Sequence, residues 1–327
     1  MTKTYYATSA DALSKTAPLS SSIVSTTNTY YVRYELPTSC FVTGSINVTV
    51  GACVEVKAKV LLQGAYNITT SLMNNTLSTL GYIPTTDPYT TATYSSSFTH
   101  INAEPIAKTI SSMAAANTAN DAIVDWVFIE LRNKNNSSQV LATSSALLQR
   151  DGDIVDMDGS SPVKFRANLD RYYVVVRHRN HLGVMTASTI DYHTTLPPAI
   201  IDFTNASTPV FTNTTLASSP ISNYAPRKVL TDGKMGLWSG NANISPPTAN
   251  SSGGLHNVGY NGQANDRSAI LSLVGSATPL NTVNGYNKED LNMDGKVSYN
   301  GLANDRSVIL SNIGSSTPNN IILQHFQ

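Results

Sequence analysis

Val258 to Leu271 reads VGYNGQANDRSAIL, and Val297 to Leu310 reads VSYNGLANDRSVIL. Eleven of the fourteen aligned positions are identical, so the second stretch duplicates the first 39 residues further on. In the second copy the Asn304-Asp305 pair fits a helix start, followed by the apolar run Val308, Ile309 and Leu310. Ahead of it stand Asp290, Asn292, Asp294 and Gly295, spaced D-x-N-x-D-G, the spacing that presents oxygen ligands to calcium.

A hard dication of this size takes several oxygens, and short carboxylates and amides alternating on a tightly turning backbone can aim them at one centre. Gly295 permits the sharp turn. In this frame Lys296 offers its carbonyl, Val297 points into the core, and Ser298 takes the ninth place, directly or through water. The twelfth place, normally an acid, is Gly301. Asp305 is the nearest acid that can close the shell, provided YNGLAN loops out. The alternative is a polar turn capped by Asp305 without an ion. Aligning the first copy on NDR puts Asn241, Asn243 and Ser245 where the acids belong and leaves Asp266 as its one full charge, which predicts weaker calcium binding.

This duplicated loop-and-helix pattern resembles dockerin modules over about Asp232 to Gly314. Dockerins carry an acid in the twelfth place and lack the YNG-x-AND insertion, so the resemblance does not extend to cohesin recognition. The strings VKAKVLLQGAYN from Val56, DWVFIELRNK from Asp125, ALLQRDGDIVDMDG from Ala146 and YYVVVRHRNHLGVMTA from Tyr172 resemble uncharacterised secreted or surface proteins of Bacteroidota-type bacteria. That resemblance implies a β-rich body followed by calcium repeats, and a location more than an activity.

Composition points to the outside of a cell. Ser, Thr and Asn supply 106 of 327 residues while charged residues are 13%, so hydroxyls and amides solvate the surface. The formal net charge is zero, which gives no electrostatic case for nucleic acid, and no apolar run reaches membrane-span length. Export would require a leader ahead of this numbering, or already removed. Cys40 and Cys53 bracket FVTGSINVTVGA; a hairpin turning near Thr43 to Ser45 would bring them together as a disulfide, the alternative being two buried thiols.

Four segments are expected: an extended Ser/Thr/Tyr-rich stretch over 1–37 that is a possible donor strand; a body over 38–204; a linker or covering segment over 205–231; and the calcium repeats with an apolar tail over 232–327. The body's short β-branched runs, separated by Gly, Asn, Asp and Pro, predict a mainly β fold with an antiparallel β-sandwich.

Two further clusters stand out. Asp151, Asp153, Asp156 and Asp158 fall in one turn, read first as solvated, then as a second calcium loop, and last as a catalytic pair. RHRNH, Arg177 to His181, ends a strand; alternation splits its side chains between two faces, which favours structural pairing over a metal site. No nucleophile elbow, zinc-protease, phosphate-loop or dinucleotide motif occurs. The expectation is a non-catalytic extracellular structural protein, a self-assembling subunit of a fibre, sheath or surface layer, stiffened by calcium. Its partners are other copies, by strand addition, or cell-surface and matrix components. Two alternatives are an adhesion or glycan-binding module using exposed Tyr, and a polysaccharide-active enzyme.

Overall fold

The structure is a computed structural model that describes residues 2–21, 24, 27–38, 40–48, 53–103, 105–110, 120–193, 199–217, 222–244, 255–262 and 265–327. It divides into two compact units, Met1–Cys53 and Val54–Gln327. The protein is mainly β with antiparallel sheets, as its alternating runs predict.

The first unit is a three-stranded antiparallel sheet in the order β1 (Thr2–Tyr6), β2 (Asn28–Glu35), β3 (Phe41–Val48), with one short helix, α1 (Ser9–Ser14). Thr8 caps α1 by accepting the Asp11 N–H at 3.1 Å. The buried guanidinium of Arg33 on β2 donates to the Ala12 and Leu13 carbonyls at 2.9 and 2.8 Å, fastening the helix to the sheet. Residues 1–37 are therefore largely strand, helix and strand, and 41–48, expected in the body, completes their sheet.

This placement overturns the hairpin on which the disulfide was argued. There is no turn at Thr43 to Ser45, because Phe41 to Val48 is one unbroken strand in constant register with β2. Cys40 and Cys53 are free and exposed, neither bonded nor buried.

The second unit is organised by a nine-stranded sheet. Its main path runs Val163–Phe165, Val54–Lys59, Asp153–Val155, Asn136–Gln149, Ile123–Asn133, Arg171–Arg177 and Val184–Met185. Ile190–Asp191 adds to Arg171–Arg177, and Ile200–Asp202 runs parallel beside Val54–Lys59. The strand Ile123–Asn133 is buried along its first ten residues, so both its faces are covered. An aromatic cluster packs against Phe128, with Tyr89 and Phe98 ring centroids 5.4 and 5.5 Å away. The Tyr89 hydroxyl donates to the Trp126 carbonyl at 3.0 Å, and Trp126 Nε1 to the Pro84 carbonyl at 2.9 Å, so the polar ends of these rings are satisfied inside the core.

The stretch 205–231 belongs to this unit as a covering segment. Phe211 donates its N–H to Met185 at 2.9 Å, and the buried Arg227 gathers the carbonyls of Phe203, Asn205 and Thr208 at 2.8 to 3.0 Å. The C-terminal repeats share a second apolar cluster with it, in which Val258, Ile270, Leu291, Val297, Ile309 and Ile322 pack with Leu182 and Trp238. The tail strand Ile321–Leu323 pairs antiparallel with Asn257–Gly259. Among the described residues no helix is long and apolar enough to cross a membrane.

Candidate metal centre

Each repeat is built around one buried aspartate at the start of a helix. In the second repeat the helix runs Asp305–Ile313; Asn304 caps it by accepting the Ser307 N–H at 2.9 Å. Asp305 Oδ1 accepts the Leu291 N–H at 2.7 Å and the Asn292 N–H at 3.4 Å, while Oδ2 accepts the Ser298 N–H at 2.7 Å. One carboxylate thus joins loop, strand Lys296–Ser298 and helix. The first repeat repeats the construction. Its helix, Asp266–Val274, is capped by Asn265, and Asp266 accepts the Asn243 N–H at 2.8 Å and the Gly259 N–H at 2.7 Å. Gly259 stands for Ser298 and Asn243 for Asn292, the correspondence that alignment on NDR predicts.

The loop itself turns on Asp290. Fully buried, its two oxygens accept the N–H groups of Asp294 at 3.1 Å and Gly295 at 2.9 Å. Asn292 Oδ1 also accepts the Asp294 N–H at 3.1 Å, and its Nδ2 donates to the Ala303 carbonyl at 2.7 Å and to Asp294 Oδ2 at 3.1 Å. Asp294 Oδ1 accepts the Lys296 N–H at 2.9 Å. Gly295 has φ +85°, so the backbone demands glycine, and an added Cβ would also have to displace the exposed Leu80 side chain. Lys296 is an exposed strand residue opposite Asn284, Ser298 is buried, and Val297 lies fully in the core.

Among the described residues no three acidic, His or Cys side chains close on a single point. Here the carboxylate oxygens face the amides of their own loop. The electrostatics are unbalanced. Burial pushes Asp266 and Asp305 up to about 7 and Asp290 to about 6, with the Asp290 charge adding to the rise at Asp305. Burial outweighs the backbone N–H groups that all three accept, and at Asp290 it outweighs the nearby Arg179 guanidinium as well. Asn241, in the place of Asp290, is buried with its Oδ1 unpartnered. Ser245 lies outside the described residues. A dication meets what these groups lack, since it favours the charged carboxylates and takes amide oxygens as ligands.

RHRNH holds this loop against the body. The strand ends at Arg177, so alternation between two faces does not apply; His178, Arg179, Asn180 and His181 are all buried in the turn beyond it. Asn180 Nδ2 donates to the Asp290 carbonyl at 2.6 Å, Arg179 donates to the Asn287 carbonyl, and the Ser239 hydroxyl donates to the Leu291 carbonyl at 2.6 Å. Behind them, Arg179 Nε and His178 Nε2 lie 2.9 and 3.1 Å from Asp125 Oδ2, and the Tyr286 hydroxyl donates to Asp125 Oδ1 at 2.6 Å. Burial alone would raise the Asp125 carboxyl, but Arg179 and His178 hold it at about 2.

Hydrogen-bond partners fix the histidine tautomers. His181 Nε2 accepts the Gly64 N–H at 3.1 Å, so its Nδ1 carries the proton and faces Asn180 Oδ1 at 2.8 Å and His178 Nδ1 at 3.0 Å. His178 then donates from Nε2 to Asp125. Both rings are neutral, and burial drives both below the ordinary 6.5, His181 well below. A folded-state value depressed below the unfolded one means stability that is present above about 6.5 and lost as pH falls. Urea unfolding from pH 7 to pH 5 should accordingly show His181→Gln, which can still accept from Gly64 but cannot charge, losing less stability than the parent chain.

The four acids of the 151–158 turn are held by different groups, Asp151 and Asp153 sharing one lysine. Lys59 lies 3.5 Å from Asp151 and 3.0 Å from Asp153, Lys108 lies 2.8 Å from Asp156, and Asp158 accepts the Ser160 and Ser161 N–H groups at 3.0 and 2.8 Å. Nothing in the arrangement sets two of them across a substrate. Comparison of the chain with protein-family models, with curated proteins and with solved structures finds no significant match. Sequence reading missed Asp125, Tyr286 and Ser239 as supports of the loop. Their only signal was an Asp at the head of a strand reading DWVFIEL, a run otherwise destined for the core.

Proposed function

We propose that this chain is a non-catalytic extracellular structural protein, a self-assembling subunit whose second unit is stiffened by calcium held in the C-terminal repeats. The observation that carries the reading is the pair of buried carboxylates Asp290, on the D-x-N-x-D-G turn, and Asp305, at the start of the helix that follows, close enough that the charge of Asp290 raises Asp305. Asp290, Asn292, Asp294 and Asp305 would supply side-chain oxygens in the second repeat, with Lys296 and Ser298 flanking them. Asn241, Asn243 and Asp266 would supply a weaker first site. The reading keeps a sandwich-like double layer for the body, supported by the burial of Ile123–Asn133 on both faces, and a dockerin-like pairing of the repeats, supported by their matching aspartates. A surface solvated by Ser, Thr and Asn supports the extracellular location.

The role of the ion is rigidity. The loop is clasped by Asn180, Arg179 and Ser239, so a cation that orders it also fixes how the repeats meet the sheet. Binding to the native state alone raises stability by mass action, about 2.7 kcal/mol at a hundredfold excess over Kd. Thermal unfolding should shift upward in calcium and back in chelator, and Asp294→Ala, a partly exposed ligand, should weaken calcium binding in titration calorimetry. Equal unfolding temperatures in calcium and chelator would sink the reading.

A further inference from the structure

The N-terminal sheet has two edges, and among the described residues of the first unit only one is guarded. β1 carries Lys3, and the chain that follows crosses its outer side: Leu19 donates its N–H to the Tyr5 carbonyl at 2.9 Å, and Tyr6 bridges to Pro18. Charge, proline and a covering segment are the usual devices that keep a sheet edge from recruiting another strand. β3, FVTGSINV, has no charge and no proline, and seven of its eight residues are exposed. Val42 is 64% exposed and Ile46 43%, a large share for β-branched apolar residues in a strand.

The edge fits itself. Leu36 donates its N–H to the Cys40 carbonyl at 2.8 Å, and the β2–β3 register holds without a shift. Antiparallel alternation from that pair sends the N–H and C=O groups of Phe41, Thr43, Ser45 and Asn47 away from β2. A twofold axis through Gly44, normal to the sheet, sets Phe41 against Asn47 and Thr43 against Ser45 of a second copy, so outward groups meet outward groups on both strands. The same operation puts Val42 across from Ile46 on one face, where an apolar cavity of about 200 Å³ opens among Tyr5, Leu19, Tyr30 and Val48. The strand is uncharged and the chain's formal net charge is zero, so no net charge opposes a second copy.

We infer that two copies of this chain pair β3 to β3, antiparallel and centred on Gly44, giving one six-stranded sheet across a twofold axis. The contact is isologous and closes on itself. It deepens the self-association in the reading above, and it is independent of the cation.

Sedimentation of the full chain from micromolar to millimolar concentration, in calcium and in chelator, tests it. A monomer–dimer equilibrium is expected in both. Ser45→Pro removes an outward N–H and spares the ladder to β2, so it should weaken the dimer at least tenfold while the circular dichroism is kept. In a Cys40→Ser, Cys53→Ser background, Gly44→Cys should form a disulfide-linked dimer on mild oxidation, because the central pair is of the closer, non-hydrogen-bonded kind. The added Cβ would meet only Val32 Cγ1, at an ordinary 3.7 Å. A chain that stays monomeric throughout, a dimer that survives Ser45→Pro, or failure of the Gly44→Cys crosslink overturns the inference. If the calcium response persists in that case, the reading of the repeats stands.

Discussion

Asp125→Ala should destabilise the second unit by about 3–5 kcal/mol, the cost of leaving a buried charge without its partner. Asp125 and Arg179 are both fully buried, and Arg179 has one terminal nitrogen without a partner even with the pair intact. Truncation takes the acceptor from Arg179, from His178 Nε2 and from the Tyr286 hydroxyl at once. The double variant Asp125→Ala, Arg179→Met should be far less damaging than the two single losses combined, since an apolar replacement of the whole pair leaves no charge stranded. Urea unfolding followed by fluorescence of Trp126 and Trp238 measures the cycle. Additive losses would mean that the pair is not the linchpin between sheet and loop.

Asp305→Ala should cost about 3 kcal/mol even in chelator, because three backbone N–H donors lose their acceptor and each orphan costs about 1–3 kcal/mol before water relieves it. Asp305→Asn separates the carboxylate's two roles. It keeps one acceptor oxygen but turns its NH2 toward the donors of the other side, so in chelator it should lose about 1–3 kcal/mol, less than Asp305→Ala, while shedding a charge that burial disfavours. In calcium it should fall behind, having lost an anionic ligand. A parent-like rise of Asp305→Asn with calcium would assign Asp305 to the hydrogen-bonded frame alone.

Much of the repeat was legible because it is local. Asn304 starts a helix through a side-chain contact three residues on, Gly295 provides the positive φ of the turn, and Val297 faces the core by strand alternation. β3 was misassigned. The sequence reading put a hairpin turn at Thr43 to Ser45, where the structure instead runs one strand, Phe41–Val48, along β2. RHRNH does sit at a strand end, but its last four residues form a turn beyond the strand rather than continuing its alternation, and their partners lie as far as 110 residues away.

By itself, then, the sequence determined the duplication, the helix starts at Asn265 and Asn304, the turn at Gly295 and the mainly β character, all of which follow from contacts within a few residues. Tertiary structure alone decided that Arg179, Asn180 and Ser239 grip the D-x-N-x-D-G loop with Asp125 and His178 behind them, that Asp290 and Asp305 are buried near each other, and that β3 is an edge strand of the first sheet. Burial and pairing across long chain separations set the energies of those groups, and residue order does not encode which distant segment will close over them.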